Sequence, residues 1–524
     1  VRQGTFQIND ATPQRLSLVI NGNVVVDNGA SISVGTGVTN TQTSPLGING
    51  TTGGFINYYE LHSHRVQVFG DFTNNGTVRF TNLPWPVYNS FPPLVNGPTT
   101  GFATVYFNGS TDRTLTCNGP TDFYNLVVDK GTDQTYKLTV YSSGYSNFRL
   151  FGANISEGDA TAPATNANPN LKKALWVRNG TLLLQGLVVI PSLSEGATAG
   201  PPSSDFYIPQ RGAMILDGAG VIVLSTADDY REVNGAYGVA APDNASMGID
   251  TGTGNSGISV SGKLQVNNGY LSTRESTGII YWNYAPGQFI LNGGTVDTKQ
   301  FHSSPNANSL ISYSQSGGSM NVRGRFQRTT TLFTTDGLVS APLNNVRAAS
   351  GTDAAAASFD ITLSGGANGF SMTGGNIKIY DVCGTTAPSL AYRIGCSASD
   401  INVTGGTVEL TPVSGTIPAE DADFYVNTTA PFANLTINRT SGAAVVQLNS
   451  NPVTVLNNLL LSAGSLIANN LDLTIGGNFT VASGTAYTPG NNTTTFNGTS
   501  NQNISLAAAQ TLTGSRLTSR PELL

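Results

Sequence analysis

Asp228, Asp229, Arg231 and Glu232 form the one dense charged cluster in a chain that carries few charges. Neighbouring carboxylates can ligate Ca2+ through hard oxygen donors, or serve as the acid and base of glycosidic cleavage. The same residues read equally as a solvated loop held by local ion pairs. Asp228, Asp229 and Glu232 therefore stand as ligand or ion candidates, with no catalytic role assigned. His62 and His64 sit two apart, which puts both imidazoles on one face of a strand at a spacing that suits a transition metal. No third ligand accompanies them and the only other histidine is His302. The pair reads as part of a solvent-facing strand, and no metal is expected.

Aromatic residues supply the other chemistry. Tyr58, Tyr59, Trp85, Tyr88, Phe91, Tyr281, Trp282 and Tyr284 could stack on sugar rings or pack over the end of a core. Trp85, Tyr281 and Trp282 are kept as ligand candidates. The three cysteines are Cys117, Cys383 and Cys396. A Cys383–Cys396 disulfide would close a short loop and contribute roughly 3 kcal/mol; two buried thiols are the other reading. Cys117 ends an apolar alternation and reads as a core residue. No Cys/His spacing suggests zinc, and no Gly-x-Ser-x-Gly elbow is evident for a Ser/His/Asp site. No cofactor is expected.

The elements that must position these residues are strands. Short alternating runs of Val, Ile, Leu, Thr and Phe are punctuated by Gly, Asn and Asp, and convincing helical periodicity is nearly absent. A degenerate phrase recurs, as in Ile20-Asn-Gly22-Asn-Val24 and Val260-Ser-Gly262-Lys-Leu264. Punctuation at Gly269, Gly294 and Gly318 recurs every two dozen residues or so, and appears again at Gly375 and Gly406. Repetition at this period points to a solenoid, whereas sandwich strands bring a turn roughly every 8–12 residues. The expected fold is all-β: an elongated parallel β-helix, right-handed as crossover connections usually are. About 20 rungs at about 4.8 Å would make a rod on the order of 100 Å long.

One solenoid is expected over residues 1–510, with irregular insertions near 84–98, 155–170 and 226–255, followed by an atypical tail at 511–524. β-Branched and aliphatic residues suit stacked interiors. Gly and Asn suit corners that need positive φ, and stacked Asn can pair along the axis.

Composition fits this reading. Only 11% of the 524 residues are charged, against roughly 25% in an average soluble domain. A formal net charge of −6 argues against a nucleic-acid partner, which needs cations to displace counterions. No apolar stretch approaches the roughly 20 residues of a membrane span. The chain begins at Val1, which suggests a processed, exported protein. Few ionisable groups also suggest a stability indifferent to pH and salt.

Towards the C-terminus the repeats sharpen: Phe432-Ala-Asn434-Leu435-Thr-Ile437, Leu473-Thr-Ile475-Gly-Gly477-Asn-Phe479-Thr and Thr494-Thr-Phe496-Asn497-Gly498. Earlier counterparts are Val105-Tyr-Phe107-Asn108-Gly109 and Phe123-Tyr-Asn125-Leu126. These phrases resemble the repeats of large secreted, adhesin-like β-helical surface proteins of Bacteroidota, over about residues 105–130 and 432–505. The resemblance implies export and architecture more than a ligand, and the C-terminal sorting domain common in that group is not visible.

β-Helical polygalacturonases share an Asn-Thr-Asp motif, an Asp pair, Gly-His-Gly and Arg-x-Lys. Only the Asp pair is present here. The expected function is therefore non-enzymatic: a secreted or cell-surface stalk, adhesin or fibre subunit. Its partner would be a further copy of itself, head to tail, or an extracellular glycan. The alternative is a carbohydrate-binding or polysaccharide-degrading protein with a site near Asp228 and Asp229.

Overall fold

The computed structural model describes residues 1–8, 16–35, 64–81, 103–123, 125–150, 175–190, 206–225, 257–260, 262–273, 279–282, 287–303, 311–327, 346–347, 357–362, 369–384, 388–412, 423–439 and 444–507. Among them the chain is all-β and its sheets are parallel, as expected; one short 3-10 turn, Ala398–Asp400, interrupts the strands. The chain divides into two compact units. Unit one comprises Val1–Arg274 with Thr331–Ser340, and unit two Glu275–Thr330 with Ala341–Leu524.

In unit one, strands are dealt to three columns in rotation. The first column stacks Thr5–Ile8, Ser31–Val34, Thr77–Arg79, Thr121–Phe123 and Phe148–Leu150. The second stacks Ser17–Ile20, His64–Val68, Ala103–Gly109, Asn125–Lys130 and the start of Leu175–Gly186. The third stacks Val24–Val26, Phe72–Asn74, Arg113–Cys117, Lys137–Ser142 and the rest of Leu175–Gly186. Each pairing is parallel, so equivalent residues of successive triples lie over one another. Val66, Val105 and Leu126 make one such inward file, and all are buried.

The three connections differ in length. Second-to-third links are short, at 21–23, 69–71 and 110–112, and so are third-to-first links, at 27–30, 75–76 and 118–120. First-to-second links include the long stretches 35–63, 80–102 and 151–174.

Unit two repeats the rotation. One column stacks Gln300–Ser303, Phe359–Thr362, Ser389–Gly395, Phe424–Thr428, Val445–Leu448, Ser465–Ile467 and Ala486–Thr488. The next carries Gly287–Leu291, Ile311–Gln315 and the start of Gly369–Ile379, and later Val453–Val455, Leu473–Ile475 and Thr494–Phe496. The last carries Thr295–Thr298, Ser319–Val322, the end of Gly369–Ile379 and the end of Ile401–Leu410. It continues through Asn434–Asn438, Leu459–Ala463, Phe479–Val481 and Ile504–Leu506. Among the described residues, the antiparallel pairing of Phe326–Gln327 with Val346–Arg347 is the exception.

Stacking in register puts like side chains about 4.8 Å apart, a spacing at which flat rings lie face to face. Phe289, Tyr313 and Phe370 form one such file, with centroids 5.6 and 5.5 Å apart; Phe301, Phe359 and Tyr392 form a second, at 5.0 and 5.5 Å. At the corners, Gly294, Gly318, Gly375 and Gly406 all have positive φ, the role their spacing suggested. Gly375 is doubly constrained: φ is 77°, and a Cβ there would collide with the Gly317 carbonyl oxygen.

A side-chain ladder runs along the outside of unit two. Asn458 N–H donates to Asn434 Oδ1 at 3.3 Å, Asn478 N–H to Asn458 Oδ1 at 3.0 Å, and Asn503 N–H to Asn478 Oδ1 at 2.8 Å. Those steps span 24, 20 and 25 residues. Each Asn thus supplies the acceptor for the N–H of the next Asn along, a backbone group that would otherwise lack a partner in the sheet.

Candidate functional site

Asp228, Asp229, Glu232, Trp85 and His62 lie outside the described residues. Tyr281 and Trp282 close the strand Ile279–Trp282, whose backbone pairs them in register with His302 and Ser303. His64 is not solvent-facing. Along His64–Val68 the residues His64, Val66 and Val68 are buried and Arg65 and Gln67 are half-buried, so strand parity sends the imidazole to the enclosed side. There Nδ1 accepts the Leu16 N–H at 3.0 Å. Cys383 and Cys396 are free thiols, as is Cys117, and all three are buried. Cys117 sits in the core as expected, and enclosure pushes its thiol up to about 12, with the Thr121 hydrogen bond pulling the other way.

What composition alone did not reveal is where the few charges go. In unit one, Asp122 is fully buried between two arginines from neighbouring strands. Arg79 Nε donates to Oδ2 at 2.8 Å, Arg149 Nε to Oδ1 at 2.6 Å, and Arg149 Nη2 to Oδ2 at 2.9 Å. In unit two, Asp360 accepts from Ala357 N–H at 2.9 Å, Thr362 Oγ1 at 2.7 Å and Arg393 Nε at 3.0 Å, with a shorter contact to Arg393 Nη2.

Close by in sequence, Asp297 and Arg323 form an enclosed ion pair, Oδ1 to Nε 2.7 Å. Lys299, also buried, is held below the ordinary lysine range by desolvation; Cys383 opposes that shift, while Arg323 and Arg325 add to it. Ser358 Oγ donates to the Asp381 carbonyl at 2.9 Å and lies 3.6 Å from Cys383 Sγ. Arg439 Nη1 reaches the Tyr380 and Thr411 carbonyls at 3.1 and 3.2 Å, its guanidinium 3.9 Å from the Phe424 ring centre.

Chemically, Asp122 and Asp360 are occupied on both carboxylate oxygens. A carboxylate bound by guanidinium groups is a poor general base and a poor metal ligand, because its lone pairs are already taken. Among the described residues, no group of three or more His, Cys, Asp or Glu side chains is placed to hold a metal ion. No described helix is long and apolar enough to cross a membrane.

A second isolated charge is Lys130, fully enclosed, with Nζ donating to the Asn108 carbonyl at 2.7 Å. Exposed apolar side chains gather on the first strands of unit one, where Phe6, Val19 and Val25 are 44%, 51% and 47% exposed. Their strands pair on one side with Ser31–Val34, His64–Val68 and Phe72–Asn74.

Sequence reasoning missed the ion files because their members are far apart in the chain. Arg79 and Asp122 are 43 residues apart, and Asp122 and Arg149 are 27 apart. The available signal was that Asp122 and Arg149 are the middle residues of short strands, while Arg79 closes one. No family model, curated protein or solved structure matches this chain.

Proposed function

We propose that this chain is a parallel β-helix that works outside the cell as a stiff, non-enzymatic structural or adhesive element, a stalk or fibre subunit. The observation that carries the reading is the rotation of strands through three columns in each unit, each triple stacked in parallel on the one before. A chain that turns through the same three sheets in order traces a coil, and crossovers between parallel strands favour a right-handed one. The outside supports the same reading. It is bound by an amide ladder, and the buried carboxylates of Asp122, Asp297 and Asp360 each meet an arginine.

Self-association is the partner this reading favours. Unit one leaves apolar side chains exposed on strands whose described ladder partners lie on one side only, the condition in which strand edges recruit further strands. Negative-stain electron microscopy of the purified protein over a concentration series tests both statements. Fibres that lengthen with concentration support a polymer subunit, and separate rods at every concentration support a stalk or adhesin. Compact particles would refute the β-helix.

A further inference from the structure

The inner positions of stacked rungs are nearly interchangeable. In the first column of unit one, a single inward file runs through Ile32, Val78, Thr121 and Phe148. Displacing a strand by one whole rung keeps every inward side chain inward, because strand parity is unchanged. Apolar burial alone therefore does little to forbid a skipped rung.

The neighbouring outward file is different. It runs Ser33, Arg79, Asp122, Arg149, each in register with the next. Omitting the Asp122 strand would set Arg79 directly against Arg149, one strand spacing apart. Omitting either arginine strand would leave a fully buried carboxylate with part of its hydrogen bonding lost. Only the native order places the anion between two cations.

We propose that the Arg79–Asp122–Arg149 file is a register key: it fixes the order in which Thr77–Arg79, Thr121–Phe123 and Phe148–Leu150 stack by penalising skipped-rung alternatives. In unit two Asp360 is likewise paired with the arginine of a register neighbour, Arg393, and has His302 in register on its other side. The role is separate from stability, since apolar side chains of matching volume often replace a buried ion pair at no cost.

The test is refolding from denaturant, read by native gel and by hydrogen exchange of peptides covering 77–79, 121–123 and 148–150. The wild-type chain should return to one species. Arg79→Met, Asp122→Leu and Arg149→Met combined should lose that single species, giving a mixture with divided protection, while its native-stacked fraction melts close to wild type. An inverted key (Arg79→Asp, Asp122→Arg and Arg149→Asp combined) restores alternation and should again give one species. A single, fully protected species from the apolar variant would overturn the proposal. So would failure of the inverted key to give one species.

Discussion

Lys130 carries a prediction whose sign changes with pH. Burial lowers its pKa from 10.5 to about 8; Arg113 pushes the same way, and Asp112 and Asp71 oppose. The interval corresponds to roughly 3 kcal/mol against the charged form in the folded state. Between about 8 and 10.5 the unfolded chain holds a proton that the folded chain has given up, so stability rises with pH across that window. Below it the penalty is fully present, and above it the penalty is gone. Lys130→Met keeps the length of the side chain but removes the amine, and with it the hydrogen bond to the Asn108 carbonyl, worth about 1 kcal/mol. The variant should then be about 2 kcal/mol more stable than wild type at pH 7, and about 1 kcal/mol less stable near pH 10.5. Urea unfolding of both proteins at the two pH values, with hydrogen exchange of Asn125–Lys130 as the local probe, reads the difference. An equal loss of stability at both would show that the buried ammonium carries no penalty and would refute the reasoning.

Two further outcomes follow from corners and thiols. Gly375→Ala combines a positive φ with a clash against the Gly317 backbone and should cost at least about 2–3 kcal/mol, whereas Gly29→Ala, with φ 81° and open space around its Cβ, should cost only about 1 kcal/mol. Equal melting-temperature losses would mean that the close approach of rungs is not what demands glycine. Burial pushes the Cys396 thiol up to about 11, with Asp400 adding, and Cys117 up to about 12. A thiol reagent at pH 8 should therefore label the native protein negligibly and all three cysteines in denaturant; rapid native labelling would contradict the enclosure of these groups.

The spacing of the turns was legible in the sequence because corner chemistry is local. Gly269, Gly294 and Gly318 announce positive φ wherever they stand, and φ at those residues is 95°, 70° and 65°. The Asn ladder was legible for the same reason, since Asn434, Asn458, Asn478 and Asn503 recur beside the same turn. His64 was misread because its strand alternates in either sense, and only the fold decides which parity faces inward. The ion files were hidden by unequal connections: Phe123 and Asn125 end and begin successive strands, while 80–102 separates Arg79 from Ala103. Counting residues from Arg79 could not therefore find Asp122. The expectation of indifference to pH also needs amending, since a sparse charge content does not prevent a single lysine from being buried.

The inequality among connections also bears on where recognition can reside. At the tight corners one turn rests directly on the backbone of an earlier one. A Cβ on Gly70 would strike Gly22, and one on Gly119 would strike Gly76. Asp71 N–H donates to Asn23 Oδ1 at 2.9 Å, and Thr114 N–H to Asp71 Oδ1 at 2.9 Å. Lengthening such a corner would break contacts to the rungs on both sides, so these positions are closed to insertion. First-to-second connections in unit one differ widely in length, from the single residue 124 to the stretch 35–63. In sequence, Trp85 falls between Arg79 and Ala103, and Asp228, Asp229 and Glu232 fall between Ser225 and Gly257, none of them in a short corner. The same stacking thus excludes insertions, and any ligand chemistry they would carry, from the short corners.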